Sequence, residues 1–148
     1  MKTLTIPNDI MFKQVSELTA QGESVSFMTK GSSMLPFIRG DRDSVRIKKF
    51  EQYHVGDIAL VRLSNGQYIL HRIISIKGNK VTLQGDGNIR GTEHCTLEDV
   101  IGGVTAIIAP SGREKKPTSG AWWRKIKPLR RYILAIYRRL PKSLQRSW

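Results

Sequence analysis

The chain has 148 residues, with 25 Lys and Arg against 12 Asp and Glu, a formal net charge of +13. This length suits one domain with one ordinary core, and 39% hydrophobic with 25% charged residues is a globular balance rather than a disordered one. A lone cysteine, Cys95, excludes an internal disulfide and any multi-cysteine metal cluster, and no run approaches the roughly 18 apolar residues of a membrane-spanning helix.

The charge is unevenly spread. Residues 113–148 hold 12 Lys and Arg and one acid, Glu114, a net of +11. The other 112 residues hold 13 basic and 11 acidic groups. A near-neutral body therefore carries a strongly basic tail. Met1 to Phe12 has one Lys followed by Pro7, Asn8 and Asp9, without the apolar core of a secretory signal. The expectation is a cytoplasmic chain, or one on the cytoplasmic face of a bacterial membrane.

In chain order, Asn8 can cap a helix with Met11, Val15 and Leu18 on one face, closed by Gly22. Strand patterns follow at Val25–Thr29, Ser44–Phe50, Val55–Leu63 and Gln67–Ile76. The last two flank Ser64-Asn65-Gly66, and Asn-Gly is a strong hairpin signal. Lys77-Gly78-Asn79-Lys80 turns into Val81–Gln84, and a last strand is expected over about Ile101–Ala109. The fold class is mainly β: a coiled antiparallel sheet or partial barrel over 1–112 with a short N-terminal helix. Residues 113–120 read as a polar linker. Beyond it, Trp122 and Trp123 precede Pro128, which suits a first helical turn. Leu129, Tyr132, Ile133, Ile136, Tyr137 and Leu140 then share one face, with Arg130, Arg131, Arg138 and Arg139 opposite, predicting a basic amphipathic helix in 121–148.

Three segments carry candidate chemistry. In Gly31-Ser32-Ser33-Met34-Leu35-Pro36, Gly31 permits an unusual turn that can project a serine hydroxyl beside free backbone N–H groups. Taken alone, such a segment is more often a plain loop. His71 sits in the apolar strand Tyr68–Ile74, and a neutral imidazole can take a serine proton. Its bland alternative is a hydrogen-bonded sheet histidine. Asp86, in Gln84-Gly85-Asp86-Gly87-Asn88, could orient a histidine, or simply form a turn.

Together these segments read G-x-S-M-x-P, then Gly56-Asp57 opening a strand, then His71-Arg72, then G-D-x-N. In this order the sequence resembles the signal peptidase I superfamily of serine endopeptidases, which includes the self-cleaving repressor peptidases. The resemblance spans roughly Gly22 to Gly112 and is closest to the archaeal and endoplasmic-reticulum form, with a histidine base. It implies Ser33 as nucleophile, His71 as general base and Asp86 as third member, within a coiled β fold and with no metal or organic cofactor. Gly31, Ser32, Met34 and Pro36 make up the nucleophile box. Where many bacterial relatives place a second serine, this chain has Gly31, so backbone N–H groups or Ser32 would serve the oxyanion. Asp99, Glu93 and Glu98 rival Asp86 as the acid. His54 and His94 read as solvated, and Cys95 lacks an activating motif.

For the tail, the expectation is peripheral attachment to an anionic membrane surface through Trp122, Trp123 and the arginines. Nucleic acid is disfavoured, because nothing before the β region can hold a helix-turn-helix. A third reading packs the helix on the β-domain with a solvated arginine face. The function expected is cleavage of a leader from a peptide or protein substrate. The alternatives are a non-catalytic peptide- or membrane-binding module and a self-processing regulator.

Overall fold

The computed structural model describes residues 2–4, 8–88, 91–120, 123, 125 and 127–139. The fold is mainly β, as the sequence patterning predicts. Strands β1 (Lys2–Leu4), β2 (Val25–Met28), β3 (Ser44–Lys48), β4 (Ile58–Arg62), β5 (Tyr68–Lys77), β6 (Lys80–Gln84), β7 (Glu93–Thr96), β8 (Val100–Ile108) and β9 (Glu114–Lys115) form one sheet. Its order is β1-β2-β3-β8-β4-β5-β6-β7, with β9 on β8. All pairings are antiparallel except β1 with β2. Helix α1 (Asn8–Ala20) lies between β1 and β2 in sequence, and α2 (Lys127–Arg139) follows β9.

Local chemistry accounts for the elements. Helix α1 buries Met11 and Val15, and Leu18 packs on the same cluster. Gly22, at φ +85°, ends it: the Gly22 and Glu23 amides donate to the Thr19 and Leu18 carbonyls. Gly66, at φ +87°, makes the β4–β5 turn, closed by Leu63 N–H to the Gln67 carbonyl at 2.8 Å.

Strand β4 lies at the centre, bonded to β8 and β5. Its side chains alternate between two cores. Ile58 and Leu60 join Val15, Phe27, Ile47 and Ile107, while Ala59 and Val61 join Ile73, Val81 and Leu83. Register shifts at Arg46/Ile47, Leu60/Val61 and Ile73/Ser75 add local twist, which curls the sheet.

Three elements depart from the sequence expectation. Strands β1 and β7 are short, and β7 carries the polar sequence Glu-His-Cys-Thr, so neither shows an apolar alternation. The expected linker at 113–120 is not a free spacer. Glu114 and Lys115 pair with Ile108 and Ile107, and the Glu114 carboxylate accepts two bonds from the Arg46 guanidinium at 2.7 and 2.9 Å.

The C-terminal helix is docked on the β-domain. Trp123 and Leu134, each 1% exposed, form a third core with Leu35, joined by Phe37 and Tyr137. Of the residues expected on the apolar face of α2, Leu129, Tyr132, Ile133 and Ile136 are exposed, whereas Tyr137 packs on the third core. Trp123, expected to contact a membrane, is buried because it fills that core. Trp122 and Leu140 lie outside the described residues, as do the side chains of Arg130 and Arg131. Replacing Trp123 by Ala empties the largest side chain of this third core. The expected cost is about 3–5 kcal/mol in a denaturant melt, with faster tryptic cutting within 113–131.

Candidate active site

The Ser33 turn projects from the sheet between β2 and β3. Its two ends are drawn together: the Thr29 amide and hydroxyl both donate to the Asp43 carbonyl, at 3.0 and 2.8 Å, and the Asp41 amide donates to the Thr29 carbonyl at 2.7 Å. Asp43, fully buried, also accepts from the Arg39 amide at 2.9 Å. Gly31 has φ +79°, and a Cβ on Gly40 would fall 1.9 Å from the Gly31 carbonyl oxygen. Glycine is therefore required at both positions, for conformation at one and for space at the other. Met34, Leu35 and Ile38 are buried and anchor the turn, and the Leu35–Pro36 peptide is cis.

A second loop clasps this turn. The Gly87 amide donates to the Ser33 carbonyl at 2.7 Å, and the Asp86 amide to Met34 Sδ at 3.4 Å. Gly85 lies between the turn and His71. The place a Gly85 Cβ would occupy is 2.3 Å from the Ser33 carbonyl oxygen and 3.1 Å from His71 Nε2. Ser33 and His71, brought together from positions 38 residues apart, line one cavity of about 380 Å³ with Glu93.

His71 stands on β5 opposite Ala59, with its side chain 9% exposed. Its Nδ1 is hydrogen-bonded to Glu93 Oε1 on β7. A carboxylate only accepts, so Nδ1 is the donor, and in the neutral tautomer that this selects, the lone pair is on Nε2, on the Gly85 side. This is the arrangement in which an imidazole can receive a hydroxyl proton while a carboxylate stabilises the resulting cation.

Asp86 does not fill that place. Its two carboxylate oxygens accept from Arg72 Nε and Nη2 at 2.9 and 2.7 Å. Arg72 follows His71 directly, and successive strand residues point to opposite faces. The Arg72–Asp86 pair is accordingly on the far side of β5 from the imidazole. Of the rival acids, Asp99 caps the turn 97–99 by accepting from the Thr96 amide at 2.9 Å, and Glu98 accepts from Asn79 at 2.8 Å. Glu93 was legible only as one of several nearby carboxylates, because its approach to His71 depends on the stacking of β5, β6 and β7.

The remaining candidates are placed elsewhere. His54 is exposed, its amide bonded to Asp57 at 2.8 Å, and His94 lies beside Thr82 and Thr92 on the exposed side of β7. Gly56 and Asp57 open β4 structurally, through Gly56 N–H to the Ile73 carbonyl and Ile73 N–H to the Asp57 carbonyl. Burial pushes the Cys95 thiol up to about 11, so little thiolate forms near neutral pH. Among the described residues no cluster of His, Cys, Asp and Glu could hold a metal ion. No family model matches the chain, and no relative is found among curated proteins.

Gly85→Ala should shift the Ser33 carbonyl or the His71 ring while leaving both main cores untouched. A misplacement near 1 Å predicts about a hundredfold loss in any activity of this site, with a folded-state spectrum retained. Alkylation of Cys95 by iodoacetamide should keep accelerating above pH 9, without an earlier plateau, as a thiol near 11 demands.

Proposed function

We propose that the chain is a serine endopeptidase, similar to signal peptidase I, that cleaves a leader segment from a peptide or protein. The observation that supports this reading best is the engagement of His71 Nδ1 by Glu93, with Nε2 on the side of the Ser33 turn and all three residues on one cavity. A sheet histidine kept for structure alone also pairs its Nδ1, so it is the serine turn on the Nε2 side, within the same cavity, that favours the catalytic reading.

In this mechanism Ser33 Oγ attacks the scissile carbonyl carbon while His71 Nε2 takes the hydroxyl proton. Glu93 holds the imidazole in the required tautomer and stabilises the imidazolium. The backbone N–H groups of the turn, with the Ser32 hydroxyl, are the candidate donors to the tetrahedral oxyanion. His71 returns the proton to the leaving amine as the C–N bond breaks, leaving an ester on Ser33. Water, deprotonated by His71, then hydrolyses that ester. No metal is needed in any step. The cavity walls include Phe27, Ile38, Leu60 and Leu70, which suit apolar side chains flanking the scissile bond.

The test is cleavage of a mixture-based peptide library, followed by mass spectrometry. Ser33→Ala and His71→Ala should each lower kcat/KM by at least about a thousandfold with the melting temperature nearly unchanged. Unaltered turnover in either variant, or peptide binding without any cleavage by the native chain, would overturn the reading. Glu93 and Asp86 should separate cleanly. Glu93→Gln is expected to lower kcat by at least about a hundredfold at normal stability. Asp86→Asn strands a buried guanidinium and should cost about 3–5 kcal/mol of stability.

A further inference from the structure

We propose that the outward face of α2 seats on an anionic lipid bilayer. Leu129, Tyr132, Ile133 and Ile136 are 56%, 56%, 39% and 63% exposed and follow i, i+3, i+4, i+7 spacing, so they form one apolar stripe along the helix. The opposite side of the helix is already committed, through Leu134 and Tyr137, to the core that holds Trp123. The helix is thus folded and held before it meets any partner, and docking orders no new backbone.

Charge selects the occupant. The segment 113–148 has 12 Lys and Arg against one acid, and Arg139 lies exposed in the last turn of α2 beside the stripe. A second copy of the chain seated on this stripe would bring two such segments together, each at +11. Nucleic acid would meet the charge but leave the aliphatic stripe in water. An anionic bilayer accommodates both: acyl chains receive Leu129, Ile133 and Ile136, Tyr132 sits at the interface, and phosphates meet Arg139 and the net positive charge of the segment.

Docking would also fix the height of the Ser33 cavity above the bilayer. Trp123 Nε1 donates to the Asp86 carbonyl at 2.7 Å and Arg138 donates to the Gly87 carbonyl at 3.3 Å, so the helix is tied to the loop that clasps Ser33. The lipid contact itself does not depend on the peptidase reading.

The experiment is sedimentation of the full chain with vesicles of phosphatidylcholine mixed with phosphatidylglycerol, and with phosphatidylcholine alone. The expected result is partition onto the mixed vesicles that weakens as salt rises from about 0.1 to about 1 M, where the Debye length falls from about 10 to about 3 Å. The triple variant Leu129→Ser, Ile133→Ser, Ile136→Ser should lose at least about tenfold in partition while keeping its melting temperature, since all three side chains are exposed. Ser33→Ala should bind vesicles like the native chain, which separates this test from the fate of the peptidase reading. The proposal is overturned by absence of vesicle binding, by equal binding of the triple variant, or by equal binding to phosphatidylcholine alone. It is equally overturned by a dimer that buries the stripe and excludes vesicles in sedimentation velocity.

Discussion

The arrangement of the site and the tail depends on one buried ion pair, Arg72 with Asp86. Arg72 is 1% exposed, and it could not be held there charged without complete pairing. Its guanidinium bonds both oxygens of Asp86, donates to the Gly56 and Thr118 carbonyls, and lies 5.2 Å from the centre of the Phe37 ring. Five parts of the chain meet on this one side chain: β5, the entry to β4, the Gly85–Gly87 loop, the Ser33-bearing turn through Phe37, and the segment leading to the C-terminal helix. Gly120, at φ +66°, completes the seat, since a Cβ there would lie 2.9 Å from Arg72 Cζ. Trp123 closes it by donating to the Asp86 carbonyl.

That pair explains how chemistry and support share a strand. His71 and Arg72 are neighbours in sequence, and the pleat sends them to opposite faces of β5. One face presents an imidazole with a carboxylate on Nδ1 beside the Ser33 turn. The other locks the loop whose Gly85 and Gly87 backbone spaces that turn from the imidazole. Gly87 holds the Ser33 carbonyl and Asp86 is held by Arg72, so the position of Ser33 is transmitted from the ion pair through two residues of backbone. Asp86 thus holds the loop that clasps the Ser33 turn, and the carboxylate on His71 Nδ1 is that of Glu93.

The same construction gives the basic tail its place. Its charge is separate from the near-neutral body in sequence, yet in space the helix is attached to the body by Trp123, Leu134 and an Arg138 bond to Gly87. A helix with one side buried on the domain and an aliphatic stripe on another differs from a simple two-faced amphipathic helix. Linear periodicity separates apolar from basic positions, but it cannot say which neighbouring surface will claim Leu134, a residue off the main stripe.

Much of this was legible in the residues alone. Residue patterning located α1, α2 and six of the strands, β2 to β6 and β8, to within a few residues, and Asn65-Gly66 marked the hairpin. Ser33 and His71 are ordinary features taken singly; they stand out because G-x-S-M-x-P, His71-Arg72 and G-D-x-N follow one another in the order that carries the resemblance. Glu93 as the partner of His71, the pairing of Asp86 with Arg72, and the exposed stripe of α2 were decided by tertiary structure. Each depends on which distant segments come to lie side by side: β7 across β6 from β5, a loop against the far face of β5, and a helix against Leu35. Those contacts are set by register and by the shape of the packed cores. A one-dimensional pattern carries the type of each element and the chemistry each residue can perform. Which partner a side chain meets is a property of the folded chain.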